Sequence, residues 1–211
     1  MGIEVRRQVG GDFFDVMELP GERIGLFIAD VADKGIPAAL FMALTRTLVR
    51  AAVIETESPA EALRRVNDLL IPDTHQGMFV TAVYAVLYPD TGELVYANAG
   101  HNPPFWLNNA GKIENLSRTA MALGVVAGAE VKERKIQFEP EDILLMYTDG
   151  LSEAFAQDGE FFGEKRIMDT LNNTAGQSAD DVLKAIENKL DEFVGEEMQS
   201  DDLTLLLLRR K

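Results

Sequence analysis

Four aspartates fall where a sheet would end. Asp12 follows Val9-Gly10-Gly11, and Asp30 closes the apolar run RIGLFIADV at residues 23–31. Asp149 ends ILLMYTDG, and Asp201 lies in SDD, immediately before LTLLLL. An aspartate beside glycine at the end of an apolar strand belongs to a sheet rim rather than to a mid-strand core. If the strands are neighbours, the four carboxylates meet at one end of the sheets. Carboxylates within a few ångströms repel one another and raise their pKa values, and divalent cations offset that cost. A ligand set made only of oxygen favours hard cations, Mg2+ or Mn2+ over zinc. Two such ions roughly 3.5–4 Å apart can share a carboxylate and a water, and can lower that water's pKa for attack on phosphorus. The glycine after Asp149 and the small residues after Asp30 let the backbone approach the ions. Taken singly, each of these sites is a turn signal, since Asp-Gly pairs more often make turns than bind metals. The argument rests on four of them, each beside an apolar strand.

Composition removes the competing chemistries. There are no cysteines among the 211 residues, so disulfides, thiolate zinc sites and cysteine nucleophiles are excluded together. Two histidines, His75 and His101, are too few for an H-E-x-x-H protease or a histidine-rich metal site. A formal charge of −15 disfavours a nucleic-acid partner, because phosphate backbones are held by clustered Lys and Arg. No continuous apolar run reaches 18 residues, so no membrane span is expected, and MGIEVRRQVGG lacks the apolar stretch of a signal peptide. A cytoplasmic location is the expectation.

The elements that must position the aspartates are legible in outline. Residues 3–9 read as a strand running into the glycines, and 23–31 as a second. A helix follows from Ile36 to about Ile54, with Arg46 and Arg50 on its polar side. Ser58-Pro59-Ala60-Glu61 is a helix start, Ser58 the cap and Glu61 in the capping-box position, and this helix should end near Ile71-Pro72. MFVTAVYAVLY at 78–88 is apolar at odd and even positions, as in a strand covered on both faces. PDTG turns it into the partner strand ELVYANAG, and NNAG at 108–111 marks a second hairpin. Strands are expected at 132–138 and 143–148 around the turn EPED, helices at 163–172 and 178–196, and a last buried strand at 203–208. No repeat or linker interrupts the chain, so 1–211 reads as a single domain. Its fold class is α+β, a β-sandwich of two antiparallel sheets flanked by helix pairs in the order α-β-β-α.

GGDFFD, ADVADKGIPAALFMA, FVTAVYAVLYPDTGELVYANAGHNPP, LLMYTDGLSEA and SDDLTLLLL, in that order over nearly the whole chain, resemble the bacterial PPM-type serine/threonine phosphatases, in the stage II sporulation protein E and RsbU-like branch. The resemblance implies a metal-dependent protein phosphatase using two Mn2+ or Mg2+ ions and direct in-line attack of water, with no phosphoenzyme. It implies that Asp30 bridges the metals and that the Val31 carbonyl binds the second. Asp149 and Asp201 would hold the first, and Asp12 would stand at the second, directly or through water. Asp15 and Asp202 are implied as outer support, and Gly11 and Gly35 as close turns. The substrate would be phosphoserine or phosphothreonine on a regulatory protein of the anti-sigma-factor antagonist type. Relatives often carry a sensor or receiver domain upstream, so the chain reads as a possible catalytic part of a longer protein.

GGDFFD also resembles the GGDEF motif of nucleotide cyclases, but that motif lies well inside its domain, and here only about one strand precedes it. A calcium module would need the EF-hand loop, which is absent. A catalytically inactive pseudo-phosphatase acting as a binding or sensing module would predict lost metal ligands, and all the expected aspartates are present. His101 reads as a hydrogen-bonded hairpin residue, His75 as a loop residue and Trp106 as core. Arg6, Arg7 and Lys34 lie near the site in sequence, where one could meet a substrate phosphate.

Overall fold

A hairpin begins the architecture. Strand β2 (Phe13–Leu19) turns through Pro20-Gly21-Glu22 into β3 (Arg23–Val31), with Gly21 and Glu22 both at positive φ, 74° and 57°. The computed structural model describes residues 2–5, 12–32, 35–74, 77–195 and 202–211. Within them the strands form two antiparallel five-stranded sheets, and helices complete an α+β fold. The chain divides into two compact units, Val9–His101 with Ser117–Phe138, and Met1–Gln8 with Asn102–Leu116 and Glu139–Lys211.

In the first unit, β2 and β3 continue into β4 (Val80–Tyr88), β5 (Glu93–Ala99) and β8 (Arg134–Gln137), in that spatial order. One face, carrying Phe13, Met17, Phe27, Ala29, Val31, Ala82 and Tyr84, packs on α1 (Ile36–Glu55) and α2 (Pro59–Leu70). Helix α2 forms as its sequence dictates: Ser58 Oγ accepts the Glu61 amide at 3.2 Å, Pro59 opens the first turn, and Ala62, Leu63, Val66 and Leu70 make the buried stripe. Helix α1 starts after Gly35, whose φ of 83° suits glycine. By length and apolar composition α1 could cross a membrane. Its stripe Ala38, Phe41, Val49, Ala52 and Val53 is instead buried in this unit's core.

A charge pair ties α1 to the sheet. Asp15 of β2 accepts from Arg50 Nε at 2.6 Å and from Arg50 Nη2 at 2.8 Å, with Arg46 3.5 Å away. Burial alone pushes the Asp15 carboxyl up, but the Arg50 hydrogen bonds and charge, with help from Arg46, outweigh it and hold the group below its ordinary value.

In the second unit, β1 (Gly2–Val5), β10 (Leu205–Arg209), β9 (Ile143–Tyr147), β6 (Phe105–Leu107) and β7 (Ile113–Asn115) lie side by side. Leu205, Leu207, Leu145 and Tyr147 pack with α4 (Gly163–Asn173) and α5 (Ala179–Val194), and Phe105 stacks on Tyr147 with ring centres 5.4 Å apart. Asp142 is fully buried here. Its carboxylate accepts from Trp106 Nε1 at 2.8 Å, the Asn109 amide at 2.8 Å and the Glu139 amide at 2.9 Å. The Trp106 ring, expected as core, is instead half-buried and is a donor that helps hold the turn between β8 and β9.

Three expectations are corrected. The run at 13–19 is a strand that the sequence hides, because Asp15 and Glu18 interrupt its apolar residues; Asp12 therefore precedes β2 rather than ending the first strand. The strands on either side of EPED are no hairpin: β8 joins β5 in one sheet and β9 joins β6 and β10 in the other. Asp149 does not end β9 but is the first residue of the short helix α3 (Asp149–Ser152).

Replacing Asp142 with Ala removes the shared acceptor of three part-buried hydrogen bonds. The expected loss is about 3 kcal/mol of unfolding free energy, read as a lower urea midpoint at unchanged slope. Asp15 adds a pH dependence. A carboxyl whose folded pKa is depressed contributes stability above its unfolded pKa of about 3.9 and loses it as pH falls through the folded value. The advantage of the native protein over Asp15→Asn, measured by urea midpoints, is therefore expected to be full at about pH 7, to shrink below about pH 5, and to vanish at the acid end.

Candidate functional site

The first pair of candidate ligands is set by strand register. Phe13 pairs with Ala29, so one residue further along Asp12 stands opposite Asp30. Residues opposite each other in an antiparallel pair have Cβ atoms about 4.5–5.5 Å apart and share a face. Asp12 is 9% exposed, and Asp30 is half-buried. The period-two alternation that sends Phe13, Ala29 and Val31 to the helices sends Asp12 and Asp30 to the opposite face. The same alternation separates Asp15 from them. Expected as outer support, it lies on the helix-facing side with its carboxylate committed to Arg50. Val31, the last residue of β3, pairs with Val80, and the Ala32 amide continues the ladder to the Phe79 carbonyl at 3.0 Å.

Asp30 has a second register partner, Thr81 of β4. Asp30 and Thr81 are therefore neighbours on adjacent strands, at the end of the ladder where Asp12 leads into β2. Thr81 Oγ1 lies 2.8 Å from His101 Nδ1, so His101 is hydrogen-bonded as expected. Sequence reasoning missed Thr81: nothing in MFVTAVYAVLY marks one threonine as adjoining a carboxylate some fifty residues earlier, and only the register reveals it.

In the second unit, residues 148–150 are brought against residues 202–204. The Thr148 amide donates to the Thr204 carbonyl at 3.1 Å, and the Thr204 amide donates to Thr148 Oγ1 at 3.0 Å. Between them the backbones nearly touch. A Cβ on Gly150 would lie 1.9 Å from the Asp202 carbonyl oxygen, a clash with main chain that no side-chain movement relieves. The glycine of TDG thus makes room for the chain at Asp202. Asp149 itself starts α3, and its carbonyl accepts the Glu153 amide at 2.7 Å. Asp201, Gly11, Arg6, Arg7, Lys34 and His75 lie outside the described residues.

Two opposed carboxylates with oxygen donors alone fit a hard divalent cation, which would offset their mutual repulsion. Among the described residues, no three Asp, Glu or His side chains gather into a metal-binding group.

The model of the Stage II sporulation protein E (SpoIIE) family matches residues 20–211. Protein IcfG of Synechocystis is 32% identical over 98% of this chain and 37% of its own length. The phosphoserine phosphatase RsbU of Bacillus subtilis is 28% identical over 97% of this chain and 61% of its own. The chain thus spans less than two thirds of the length of either relative. In fold, it superposes on the SiaA-PP2C domain of Pseudomonas aeruginosa with a TM-score of 0.88 at 23% identity, covering 99% of this chain and 86% of that one. By the extent of the family match and the relatives that share nearly all of its length, the chain belongs to the SpoIIE family of PPM-type serine/threonine phosphatases.

Proposed function

We propose that this chain removes phosphate from phosphoserine or phosphothreonine on a regulatory protein of the anti-sigma-factor antagonist type, using two Mn2+ or Mg2+ ions in the cytoplasm. The observation that supports the reading is the β2–β3 register, whose first pair, Phe13 with Ala29, leads on to Asp12 and Asp30, in a chain whose family includes a phosphoserine phosphatase. The ligands we assign are Asp12, Asp30 and the Val31 carbonyl from the first unit and Asp149 and Asp201 from the second. Bound cations would lower the pKa of a water and neutralise charge building on the phosphoryl oxygens. Asp30 would bridge the two ions, and Gly150 keeps the Asp149 turn in register with the strand that follows Asp202. Asp15 keeps its own task, anchoring the helix that begins at Ile36, just after Asp30 in the chain. We take 1–211 to be the phosphatase domain as a whole.

Hydrolysis of an aryl phosphate, with Mn2+, with Mg2+ and with chelator, tests the reading. Activity is expected only with metal, and Asp30→Ala or Asp149→Ala is expected to lower kcat/KM by about a hundredfold or more. Activity untouched by either change rejects the ligand assignment, and no turnover of aryl phosphate or phosphoprotein with any metal identifies a pseudo-phosphatase. Metal that binds only the folded chain also raises Tm in a concentration-dependent way, by about 2.7 kcal/mol of stability at a hundred times Kd. Calorimetric scans across a Mn2+ series check it, with a flat Tm counting against an acidic metal site.

A further inference from the structure

The proposed chemistry leaves the neighbour of Asp30 without a task. Thr81 shares a face with Asp30 at the spacing of register partners, about 4.5–5.5 Å between Cβ atoms, which is within reach of a hydroxyl–carboxylate bond. Behind Thr81 stands His101, 2% exposed, and the turn that carries it is tied from several sides. Asn98, fully buried, accepts the His101 amide on Oδ1 at 2.9 Å. The Asn98 amide donates to Thr119 Oγ1 at 2.9 Å, and its carbonyl accepts the amides of Thr119 and Ala120 at 2.9 and 3.0 Å. Arg118 Nε donates to the His101 carbonyl at 3.1 Å. Gly100 sits at φ 76°, and a Cβ there would lie 2.9 Å from the Ala122 amide nitrogen. All of this fixes where the imidazole stands.

The imidazole in turn fixes the torsion that threonine leaves free. A hydroxyl has one proton and two lone pairs. In the tautomer that carries the proton on Nδ1, His101 donates into Oγ1, which leaves the Thr81 proton for another acceptor, and the Asp30 carboxylate is one at the right spacing. We propose that Thr81 and His101 are positioning residues for Asp30: the imidazole sets the Thr81 rotor, and the Thr81 hydroxyl holds the Asp30 carboxylate in the orientation that a divalent cation requires. The inference rests on the phosphatase reading of Asp30 and deepens it. Groups of this kind behind a ligand commonly change metal affinity by about 10–100-fold.

The test is a Mn2+ titration of the whole chain, read both as the shift of Tm above each variant's own metal-free value and as the Mn2+ concentration giving half-maximal aryl phosphate hydrolysis. Thr81→Val and His101→Ala are expected to raise the half-saturating Mn2+ about 10–100-fold by both readouts. Thr81→Ser, which keeps the hydroxyl, is expected to stay within about threefold of the native protein. Because His101 acts through that hydroxyl, adding His101→Ala to Thr81→Val should change Mn2+ affinity less than about twofold further. A lower metal-free Tm with native Mn2+ affinity in Thr81→Val would show a merely structural contact and overturn the proposal, as would fully additive losses in the double variant. Asp30→Ala separates the two levels. Loss of the metal shift there with a native shift in Thr81→Val overturns the positioning role alone, whereas a shift that survives Asp30→Ala overturns the phosphatase reading and this inference with it.

Discussion

The register that pairs Phe13 with Ala29, and Ala29 with Ala82, is the constraint on which the first unit depends. Side chains on a strand alternate between faces, so a slip of one residue would send every one of them to the wrong side. In the observed register, Phe13, Phe27, Ala29 and Val31 are buried against the helices, while Asp12, Asp30 and Thr81 share the other face. The apolar majority holds the register, since Leu26, Phe27, Ile28 and Ala29 have no exposed surface. At about 25 cal/mol per Å2 of buried apolar area, exposing such a row would cost far more than the repulsion between two carboxylates. Packing thus determines where the charged groups stand, and the charged groups contribute little to that choice. This is the arrangement expected of a site that stores electrostatic strain for a cation to relieve.

Asp15 shows how the same alternation assigns different work to neighbouring carboxylates. Three residues separate it from Asp12 in sequence, yet it faces the helices, where Arg50 and Arg46 meet it. Its charge is neutralised within the protein, and it joins sheet to α1. In the second unit, backbone rather than charge does the comparable positioning: Gly150 admits the Asp202 carbonyl to a place that any side chain would fill.

Much of this was legible in the sequence, and the reasons for the rest are specific. Helices α2 and α5 announce themselves through Ser58 and Ser178, each of which caps its helix as the sequence suggests. The paired strands β4 and β5 follow from a continuous apolar run and a PDTG turn. Strand β2 was missed because its buried face includes a carboxylate that is acceptable only once Arg50 is in place, and no local pattern reports a partner thirty-five residues away. The strands β8 and β9 read as a hairpin because a short turn separates them, whereas Asp142 organises that turn to send the chain from one sheet to the other. The aspartates were singled out by their glycines and flanking strands. Thr81 carried no such flag, since its place beside Asp30 exists only in the ladder.

The order of strands in the second sheet has a consequence for synthesis. Strand β10 lies between β1 and β9, so the first strand described has for its neighbour the last one described. Until residues 205–209 emerge, β1 has no ladder to join, and the main chain that Gly150 makes room for does not yet exist. Every residue of the first unit precedes residue 139, so its ladder is translated in full before the second sheet can close. A nascent chain therefore contains Asp12 and Asp30 long before the turn at Asp149 is made.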